Sequence, residues 1–530
     1  MSERSNSTKS GNCIDLSRRD FMVKASALGA SLMISPHLLH SSAFGGPVKG
    51  GHLRAGLAGA SASNSLDATT FDDTFMISIG FSIRDNLVEL GQDNLVKPAL
   101  AQSWEPSPDA KTWTFRLRKG VTFSNGKSLG AEDVITSINM HRGENSKSGA
   151  KGLLSGIADI KKDGNDLIVF QLKSGNADFP YLLTDYHLNI APAKDGKADY
   201  LSGVGTGLYT LESFEPGVQA TLKRNTTGWQ QEFGYFDSAE FVAINDGNAR
   251  LTALVSGAVD VINRVDLKMV SRLQRVQKVR ILDVPSTRHY TLPMFADTAP
   301  FDNLDARLAL MHAINREEFL EKVLRGYGQI GNDHPIGPAF RFHAADIPQR
   351  TYDPDKAKFH LKKAGLGNLT VDYHCSDGAY VGAVDAGVLF KESATKAGIT
   401  INVIQEPSDG YWSNVWLKKP FCASNWGSRP VEDMILSLAY LSDAKWNESH
   451  YKNEKLDQLI LSARAELDES RRMEIYRDIQ LIIKDQGACI VPGFANVVQG
   501  LAEDIGTQDK IGGGWDMDGG HFLKRWWRNG

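Results

Sequence analysis

The stretch FCASNWGSRPVED, residues 421–433, indicates how this chain folds. It begins as a short apolar run, which is typical of a buried strand, and it breaks at Gly427 and Pro430, where a strand cannot continue. A helical pattern follows over residues 434–438. Polar groups at the end of a buried strand of an α/β sheet are where ligand sites tend to lie. This turn carries an indole, a guanidinium and two carboxylates, and it is therefore the first candidate site.

The same turn has a second interpretation without a ligand. Arg429 lies three and four residues before Glu432 and Asp433. An ordinary strand-to-helix turn with Arg429 salt-bridged to either carboxylate would explain the same charges. The residues of this stretch alone leave both alternatives open.

The composition predicts a soluble protein of more than one domain. The chain has 530 residues, of which 42% are hydrophobic and 23% are charged. A chain of this length exceeds a single core, so two or three domains are expected. The formal charge is −4, and there is no basic face or aromatic-plus-basic run. We therefore expect no nucleic-acid partner.

Residues 1–43 have the pattern of an export signal. A polar leader ends in the pair Arg18 and Arg19, a moderately apolar stretch covers residues 25–34, and small residues stand at 41–43. This resembles a twin-arginine signal peptide, which is read by an export receptor. A membrane anchor is disfavoured because the apolar run is too short to span a bilayer. The sequence therefore predicts a periplasmic protein.

The cysteines do not form a disulfide framework. Cys13 lies within the predicted signal, which leaves Cys375, Cys422 and Cys489. Three cysteines allow at most one internal disulfide. Cys375 and Cys422 both lie on strand-like runs, so they are the pair to test first.

Two patterns indicate the type of fold. Residues 112–118 alternate apolar and polar side chains, which predicts a half-buried strand. After residue 296 helical patterns at 303–314, 316–325 and 353–364 alternate with strand patterns at 370–375, 400–404 and 421–425. Alternation of this kind favours an α/β sheet that is covered on both faces.

Several blocks in one order resemble the family 5 extracellular solute-binding proteins, the oligopeptide- and dipeptide-type receptors of bacterial ABC importers. The blocks at residues 100–105, 113–123 and 131–134 carry the resemblance. Residues 203–211 are similar to the family's Gly-Thr-Gly-Pro-Tyr block, with Leu208 in place of the usual proline. Further blocks follow at 222–225, 300–317 and 352–365. The resemblance covers the whole chain after the signal.

The resemblance implies a class of fold and a division of the chain. The expected fold class is α/β, a periplasmic binding protein-like two-lobe fold with a hinge and an extra inserted α+β domain. The expected parts are a signal peptide at 1–43, a discontinuous lobe I at 44–84, 205–295 and 495–530, an inserted domain at 85–204, and lobe II at 296–494. The resemblance also implies a monomer that works with ABC permease subunits in the inner membrane and their cytosolic ATPases.

No pattern of an enzyme is present in the sequence. There is no Gly-x-Ser-x-Gly elbow, paired-histidine zinc helix or calcium loop, and the cysteines lack metal-ligand spacing. The spacing of Gly203, Gly205 and Gly207 is not that of a phosphate loop, so these glycines are expected to permit a tight crossing of the chain. We expect no catalytic residue, no metal and no cofactor. A secreted hydrolase with catalytic groups distant in sequence is the alternative from another class.

The resemblance also suggests how a ligand is held. Peptide receptors of the family often place an aspartate soon after the Trp-Gly pair, where it meets the ligand's amine. Here Ser428, Arg429 and Pro430 occupy that place. We hypothesise that Arg429 binds a carboxylate, because a guanidinium can donate two parallel hydrogen bonds. The expected ligand is a peptide or an acidic, opine-like conjugate, and a non-peptide solute such as a sugar or a metal chelate is the alternative.

The other candidate residues come from the strand end, from aromatic runs and from two further segments. The predicted substrate-binding residues are Asn425, Trp426, Gly427, Arg429, Asp433, Tyr411, Trp412, Arg341 and Asn86.

Overall fold

The computed structural model describes residues 46–530, so the predicted export signal lies outside the described residues. Within this range no helix is both long and apolar enough to cross a bilayer. Three sheets with separate hydrophobic cores organise residues 46–530. We call the bodies built around them the first lobe, the small domain and the second lobe.

The first lobe is built on a seven-stranded sheet. Its middle strand, His52–Leu57, runs parallel to both of its neighbours, while the remaining pairs are antiparallel. Residues 55–57 are all buried, as expected for a central strand with both faces covered. In sheet order the strands are Tyr209–Glu215, Gln219–Arg224, Ser238–Ala243, His52–Leu57, Val261–Ile262, Val497–Ala502 and Val279–Val284.

Helices and short strands complete the first lobe. The helices are Ala68–Thr70, Thr74–Ile83, Tyr200–Ser202, Gly247–Ser256, Leu267–Leu273, Asp516–Gly519 and Phe522–Arg525. A small sheet joins Pro47–Val48, Trp527–Asn529 and Ile505–Gly506. Asp73 begins the helix Thr74–Ile83, because its carboxylate accepts the Met76 N–H at 2.9 Å.

The small domain has a core that runs from Leu87 to Ile190. Its antiparallel sheet has the order Ala101–Pro106, Thr112–Leu117, Leu167–Leu172 and Ile157–Asp163. Trp113, Phe115 and Leu117 are buried while the residues between them are not, which confirms the half-buried strand predicted from alternation. The remaining elements are Val88–Leu90, Val96–Pro98, Ala131–Met140, Gly149–Lys151, Phe179–Leu182, Ala193–Lys194 and Lys197–Ala198.

The second lobe combines an antiparallel sheet with a separate parallel pair of strands. In its five-stranded sheet Gly328–Ile330, Gly493–Ala495, His289–Pro293 and Ser424–Trp426 follow in order, and Cys489–Ile490 also pairs with His289–Pro293. The parallel strands are Leu369–Cys375 and Ile399–Gln405. The helices are Leu304–Ala313, Arg316–Glu318, Phe319–Val323, Pro354–Lys363, Ala383–Thr395, Tyr411–Asn414, Glu432–Ala439, Glu454–Ala465 and Glu469–Gln486.

Two adjacent connections join the lobes. Val279–Val284 lies in the first-lobe sheet, whereas His289–Pro293 already pairs with second-lobe strands, earlier than the expected boundary at 295/296. The chain returns between Gly493–Ala495 and Val497–Ala502. Val284 stands opposite Val497, and His289 stands opposite Phe494, so the crossings run side by side.

The glycines of the 203–207 segment permit a close approach, as the sequence predicted. A Cβ atom at Gly205 would lie 1.9 Å from the carbonyl oxygen of Ile83, and one at Gly207 would lie 2.4 Å from that of Ser82. The Gly207 N–H donates to the Ile83 carbonyl at 3.0 Å. No side chain fits between these two segments.

The disulfide suggested for Cys375 and Cys422 is absent. Both cysteines, and Cys489, are free thiols in the buried interior of the second lobe. The bridge between the two segments is instead a parallel backbone pairing of His374 with Cys422. Burial raises the pKa of Cys375 to about 12, so this thiol is kept in its unreactive protonated form.

Candidate functional site

A cavity of about 630 Å³ lies between the three bodies and is the candidate binding site. The helix end at Phe81 and the C-terminal segment around Trp515 line it from the first lobe. Residues 184–187 line it from the small domain, and residues 428–430 line it from the second lobe. Its volume falls within the roughly 300–1,000 Å³ that is typical of small-molecule sites.

The 428–430 turn is fixed at the junction of the two lobes. The Thr287 hydroxyl, in the first crossing, accepts the Arg429 N–H at 2.8 Å and donates to the Arg429 carbonyl at 2.9 Å. The Ser428 hydroxyl donates across the cleft to the carbonyl of Gly513 at 3.4 Å. The turn that the sequence singled out therefore contacts both a lobe connection and the opposite lobe.

The Arg429 guanidinium has no acidic partner within ion-pair distance among residues 46–530. One of its terminal nitrogens donates to the Ser428 carbonyl at 2.9 Å and to the Gly427 carbonyl at 3.4 Å. Burial lowers the pKa of Arg429 from its ordinary value, and nearby Tyr186 and Asp185 oppose that shift. The other guanidinium nitrogens of Arg429 have no hydrogen-bond partner among residues 46–530, and Arg429 lines the cavity.

The proposed internal pairing of Arg429 with Glu432 or Asp433 is not what the structure shows. Glu432 is buried and accepts the Phe342 N–H at 2.6 Å. Asp433 pairs instead with Arg464, whose Nε lies 2.9 Å from the carboxylate. Both carboxylates are thus used elsewhere in the second lobe.

Charged residues of both signs line the cavity, and most of them are paired with each other. Asp433 is held by Arg464, and Asp518 lies 3.2 Å from a terminal nitrogen of Arg525. Arg429 and Asp185 are the remaining charged residues among the described lining residues.

Aromatic side chains form much of the rest of the wall. Phe81 stacks on His521 with ring centroids 4.1 Å apart. Tyr186 stacks on His187 at 4.3 Å and contacts Trp515 at 5.4 Å. Burial lowers the pKa of His521 well below its ordinary value, so this ring is neutral at pH 7. The wall therefore offers flat aromatic surfaces beside Arg429 and Asp185.

Four predicted residues of the second lobe lie outside the cavity wall. Trp426 belongs to the hydrophobic core, with its indole N–H donating to Glu448 at 2.9 Å. Tyr411 is fully buried and donates to the Ala423 carbonyl at 2.9 Å. Asn425 donates to the Ala379 carbonyl at 2.5 Å, and Trp412 is 43% exposed on the surface. These aromatic side chains pack in the core or face solvent and are not among the lining residues, so their predicted part in substrate binding stays a prediction that this cavity does not support.

Arg341, Asn86 and Gly427 also lie outside the set of lining residues, although the Arg429 guanidinium donates to the Gly427 carbonyl at 3.4 Å. Arg341 pairs with Glu469 and lies over the Phe342 ring at 4.8 Å. Asn86 follows the helix Thr74–Ile83 rather than belonging to it, and its amide donates to the Asp185 carbonyl at 2.8 Å. Asn86 therefore supports a cavity residue without lining the cavity itself.

The sequence did not single out the small-domain segment 184–187 or the C-terminal segment 512–515. The run of three glycines at 512–514 was the available signal for the latter. A Cβ at Gly513 would lie 2.1 Å from the Pro285 carbonyl oxygen, so this glycine lets the C-terminal segment reach the first crossing. Asp185 stands in an ordinary polar turn and has no such signal.

No group of three or more metal-ligating side chains is placed to hold a metal ion in the described part of the chain. Four of the six aspartates and arginines that line the cavity pair with each other, which leaves Arg429 and Asp185.

Two lobes joined by paired crossings, with a solute-sized cavity between them, define a two-lobed solute-binding protein. The model of the bacterial extracellular solute-binding proteins, family 5 (middle), matches residues 96–448. This is more than half of the chain, and the chain belongs to that family.

Known proteins agree with this assignment. The chain is 23% identical over 461 residues to the dipeptide-binding protein of Escherichia coli K12, covering 77% of this chain and 83% of the relative. It is 25% identical over 436 residues to the glutathione-binding protein GsiB of Salmonella choleraesuis, covering 79% and 84%. The structure of AgaA from A. tumefaciens R10 in complex with agropinic acid superimposes with a TM-score of 0.72 at 21% identity, covering 91% and 99%.

Proposed function

We propose that this protein captures a peptide or an acidic, peptide-like solute between its lobes and delivers it to a membrane permease of an ABC importer. The protein acts in the periplasm as a monomer. It binds its ligand without chemical conversion. Membership of family 5 supports the role of carrier, and the cavity supports the class of ligand.

The unpaired guanidinium of Arg429 in the cavity is the observation that carries the proposal. A partly buried cation without a counter-ion is unfavourable. A carboxylate of the ligand supplies that counter-ion and accepts two parallel hydrogen bonds from the free face of the guanidinium. The ligand carboxylate thus binds where many peptide receptors of the family present an aspartate.

The relatives support this ligand class through their described ligands. Dipeptides and glutathione carry carboxylates and peptide bonds, and agropinic acid carries an acidic group. The cavity's size and mixed polar and aromatic wall suit such molecules. Mass spectrometry of the molecule that co-purifies with the protein identifies which member of the class is bound.

Replacement of Arg429 tests the proposal. In Arg429→Ala, we expect roughly a 30-fold weaker affinity for the co-purifying ligand, measured by calorimetry, because one partner of a buried charge pair is lost. Arg477→Ala is the matched control, since Arg477 pairs with Asp346 on the exposed surface at 2.7 Å. An unchanged dissociation constant in Arg429→Ala rules this residue out as the anchor.

The absence of turnover is tested separately. The purified protein is incubated with a peptide mixture, and the products are followed by chromatography. We expect the mixture to stay unchanged. Product formation that tracks the protein concentration and disappears in Arg429→Ala would contradict the receptor function.

We also propose that the twin-arginine signal directs export. The variant with Arg18→Lys and Arg19→Lys keeps the charge of the pair. We expect it to accumulate in the cytoplasm, as measured by cell fractionation, while the wild-type chain reaches the periplasm. Equal export of both chains would contradict this route.

A further inference from the structure

We propose that Asp185 binds the ammonium group of the ligand, so that the cavity selects a zwitterionic amino-acid or peptide solute with its amine at the small domain and its carboxylate at Arg429. The inference rests on the proposed function and adds a second charged group to the ligand. It also reverses the polarity expected from the family pattern, because the second lobe takes the carboxylate here.

Asp185 is the aspartate of the cavity wall that has no arginine or lysine partner among the described residues. The described lining residues include three aspartates and three arginines. Asp433 is 2.9 Å from Arg464, and Asp518 is 3.2 Å from Arg525. Asp185 and Arg429 are not paired with any residue of opposite permanent charge within 4 Å in the range 46–530. Apart from the contact of Asp185 with the His187 ring at 2.6 Å, the wall therefore presents one anion and one cation to a solute.

One carboxylate oxygen of Asp185 is occupied and the other is free. Oδ1 accepts the His187 backbone N–H at 3.0 Å and lies 2.6 Å from His187 Nδ1. Oδ2 has no hydrogen-bond donor among the described residues. The side chain is 22% exposed, and it lines the cavity. Oδ2 is thus positioned to accept from an N–H group of a ligand.

The backbone around Asp185 is held in place before any ligand arrives. The Asn86 amide donates to the Asp185 carbonyl at 2.8 Å and to the Leu183 carbonyl at 3.1 Å. The Leu188 N–H also donates to the Asp185 carbonyl, at 2.9 Å. A fixed carboxylate loses little conformational entropy when it binds, and this favours affinity.

Asp185 and Arg429 both line the cavity and belong to different bodies. Burial lowers the pKa of Arg429, and Tyr186 and Asp185 oppose that shift. A solute that carries both charges neutralises both residues and links the small domain to the second lobe. A solute with one charge leaves the other residue unpaired in a partly desolvated site, and this costs affinity.

Modified peptide pools test the proposal. The purified protein is stripped of ligand and mixed with casein hydrolysate, with the same hydrolysate after N-acetylation, or with the hydrolysate after methyl esterification. Bound mass is measured by native mass spectrometry, and affinity by the shift of the thermal midpoint. We expect binding from the unmodified pool and a loss of roughly 30-fold or more from each modified pool.

The variant Asp185→Asn assigns the ammonium site. It should weaken binding of the unmodified pool to the level of the acetylated pool, and it should leave the weak binding of the acetylated pool unchanged. Asp355→Asn is the matched control, because the Asp355 side chain is 93% exposed. In the same way, Arg429→Ala should weaken binding of the unmodified pool to the level of the esterified pool. It should leave the weak binding of the esterified pool unchanged.

The outcomes separate this inference from the proposed function. Equal binding of the acetylated and unmodified pools, unaffected by Asp185→Asn, overturns the ammonium site and leaves the receptor function intact. Failure of all three pools overturns the peptide class for both proposals. Binding that depends on Asp185 but not on Arg429 supports the ammonium site and overturns the carboxylate anchor.

Discussion

Arg472 and Arg429 are two arginines of the second lobe with opposite surroundings. Arg472 lies on the helix Glu469–Gln486, and its guanidinium is 2.5 Å from Asp178 of the small domain, with side-chain exposures of 4% and 2%. Its guanidinium also lies over the Phe342 ring at 4.9 Å. Arg429 lines the cavity and has no carboxylate within 4 Å in residues 46–530.

The two arginines differ in whether a carboxylate of the chain lies beside the guanidinium: Asp178 lies beside Arg472, and none lies beside Arg429 within residues 46–530. Burial alone lowers the pKa of Arg472, but Asp178 outweighs it, and the pKa is raised above the ordinary value. Burial also lowers the pKa of Arg429, and nothing of comparable strength restores it. We propose that Arg472 and Asp178 fix a contact between bodies, whereas Arg429 takes its partner from the ligand. The following predictions test this distinction.

Removing Asp178 has the largest expected effect. Asp178→Ala leaves Arg472 buried without a counter-ion at the contact of the small domain with the second lobe. Breaking one partner of a buried pair typically costs about 3–5 kcal/mol. We expect a loss of this size in the free energy of unfolding, measured by urea titration of the protein.

The double variant with Asp178→Ala and Arg472→Met is the control for that prediction. It removes the uncompensated cation and should recover most of the lost stability. A double variant as unstable as Asp178→Ala would show that packing at Asp178, and not the charge of Arg472, causes the effect.

Glu432 is a buried charged residue that, like Arg429, lacks a partner of opposite charge. It is 1% exposed and has no cation within ion-pair distance among the described residues. Burial raises its pKa from 4.5 to about 7. The protonated form of Glu432 is favoured in the folded state. Its contribution to stability is therefore fully present below pH 4.5, the ordinary pKa, and is lost as the pH rises through about 7, the pKa in the folded state. The shift corresponds to roughly 3 kcal/mol.

The variant Glu432→Gln should therefore lose this pH dependence. We expect the difference in unfolding free energy between wild type and Glu432→Gln to change by roughly 3 kcal/mol between pH 4.5 and pH 8, with the wild type relatively weaker at pH 8. The glutamine oxygen can still accept the Phe342 N–H. The exposed Glu474→Gln serves as control. A constant difference across this range would contradict the raised pKa.

The sequence alone predicted much of the fold because local patterns determine it. Alternation at 112–117 and the break at Gly427 and Pro430 place a strand and a turn that the structure contains. Helix bounds agree within a few residues, except that residues 319–323 form a π-helix where an α-helix was predicted. Such patterns follow from burial on one face of an element and do not depend on distant contacts.

The cavity was only partly predictable. Arg429 and Asp433 line it, while their part in binding stays a prediction. Tyr411 and Trp426 pack in the core, because an aromatic run has the same pattern in a core as in a binding wall. Asp185 reaches the cavity through tertiary packing of a turn more than two hundred residues away from Arg429, and no local pattern records such a contact.

The smallest expected effect on stability comes from Arg429, and it is the sharpest test of the comparison. In Arg429→Met the hydrogen bonds to the carbonyls of Ser428 and Gly427 are lost, at about 1 kcal/mol each. Removal of an uncompensated, partly desolvated cation offsets much of this cost. We therefore expect the unfolding free energy of the ligand-free protein, measured by urea titration, to change by less than about 1 kcal/mol. The same variant should lose ligand affinity. If Arg429→Met instead destabilises the ligand-free protein as strongly as Asp178→Ala, then Arg429 is a structural cation like Arg472, and the ligand carboxylate must bind elsewhere.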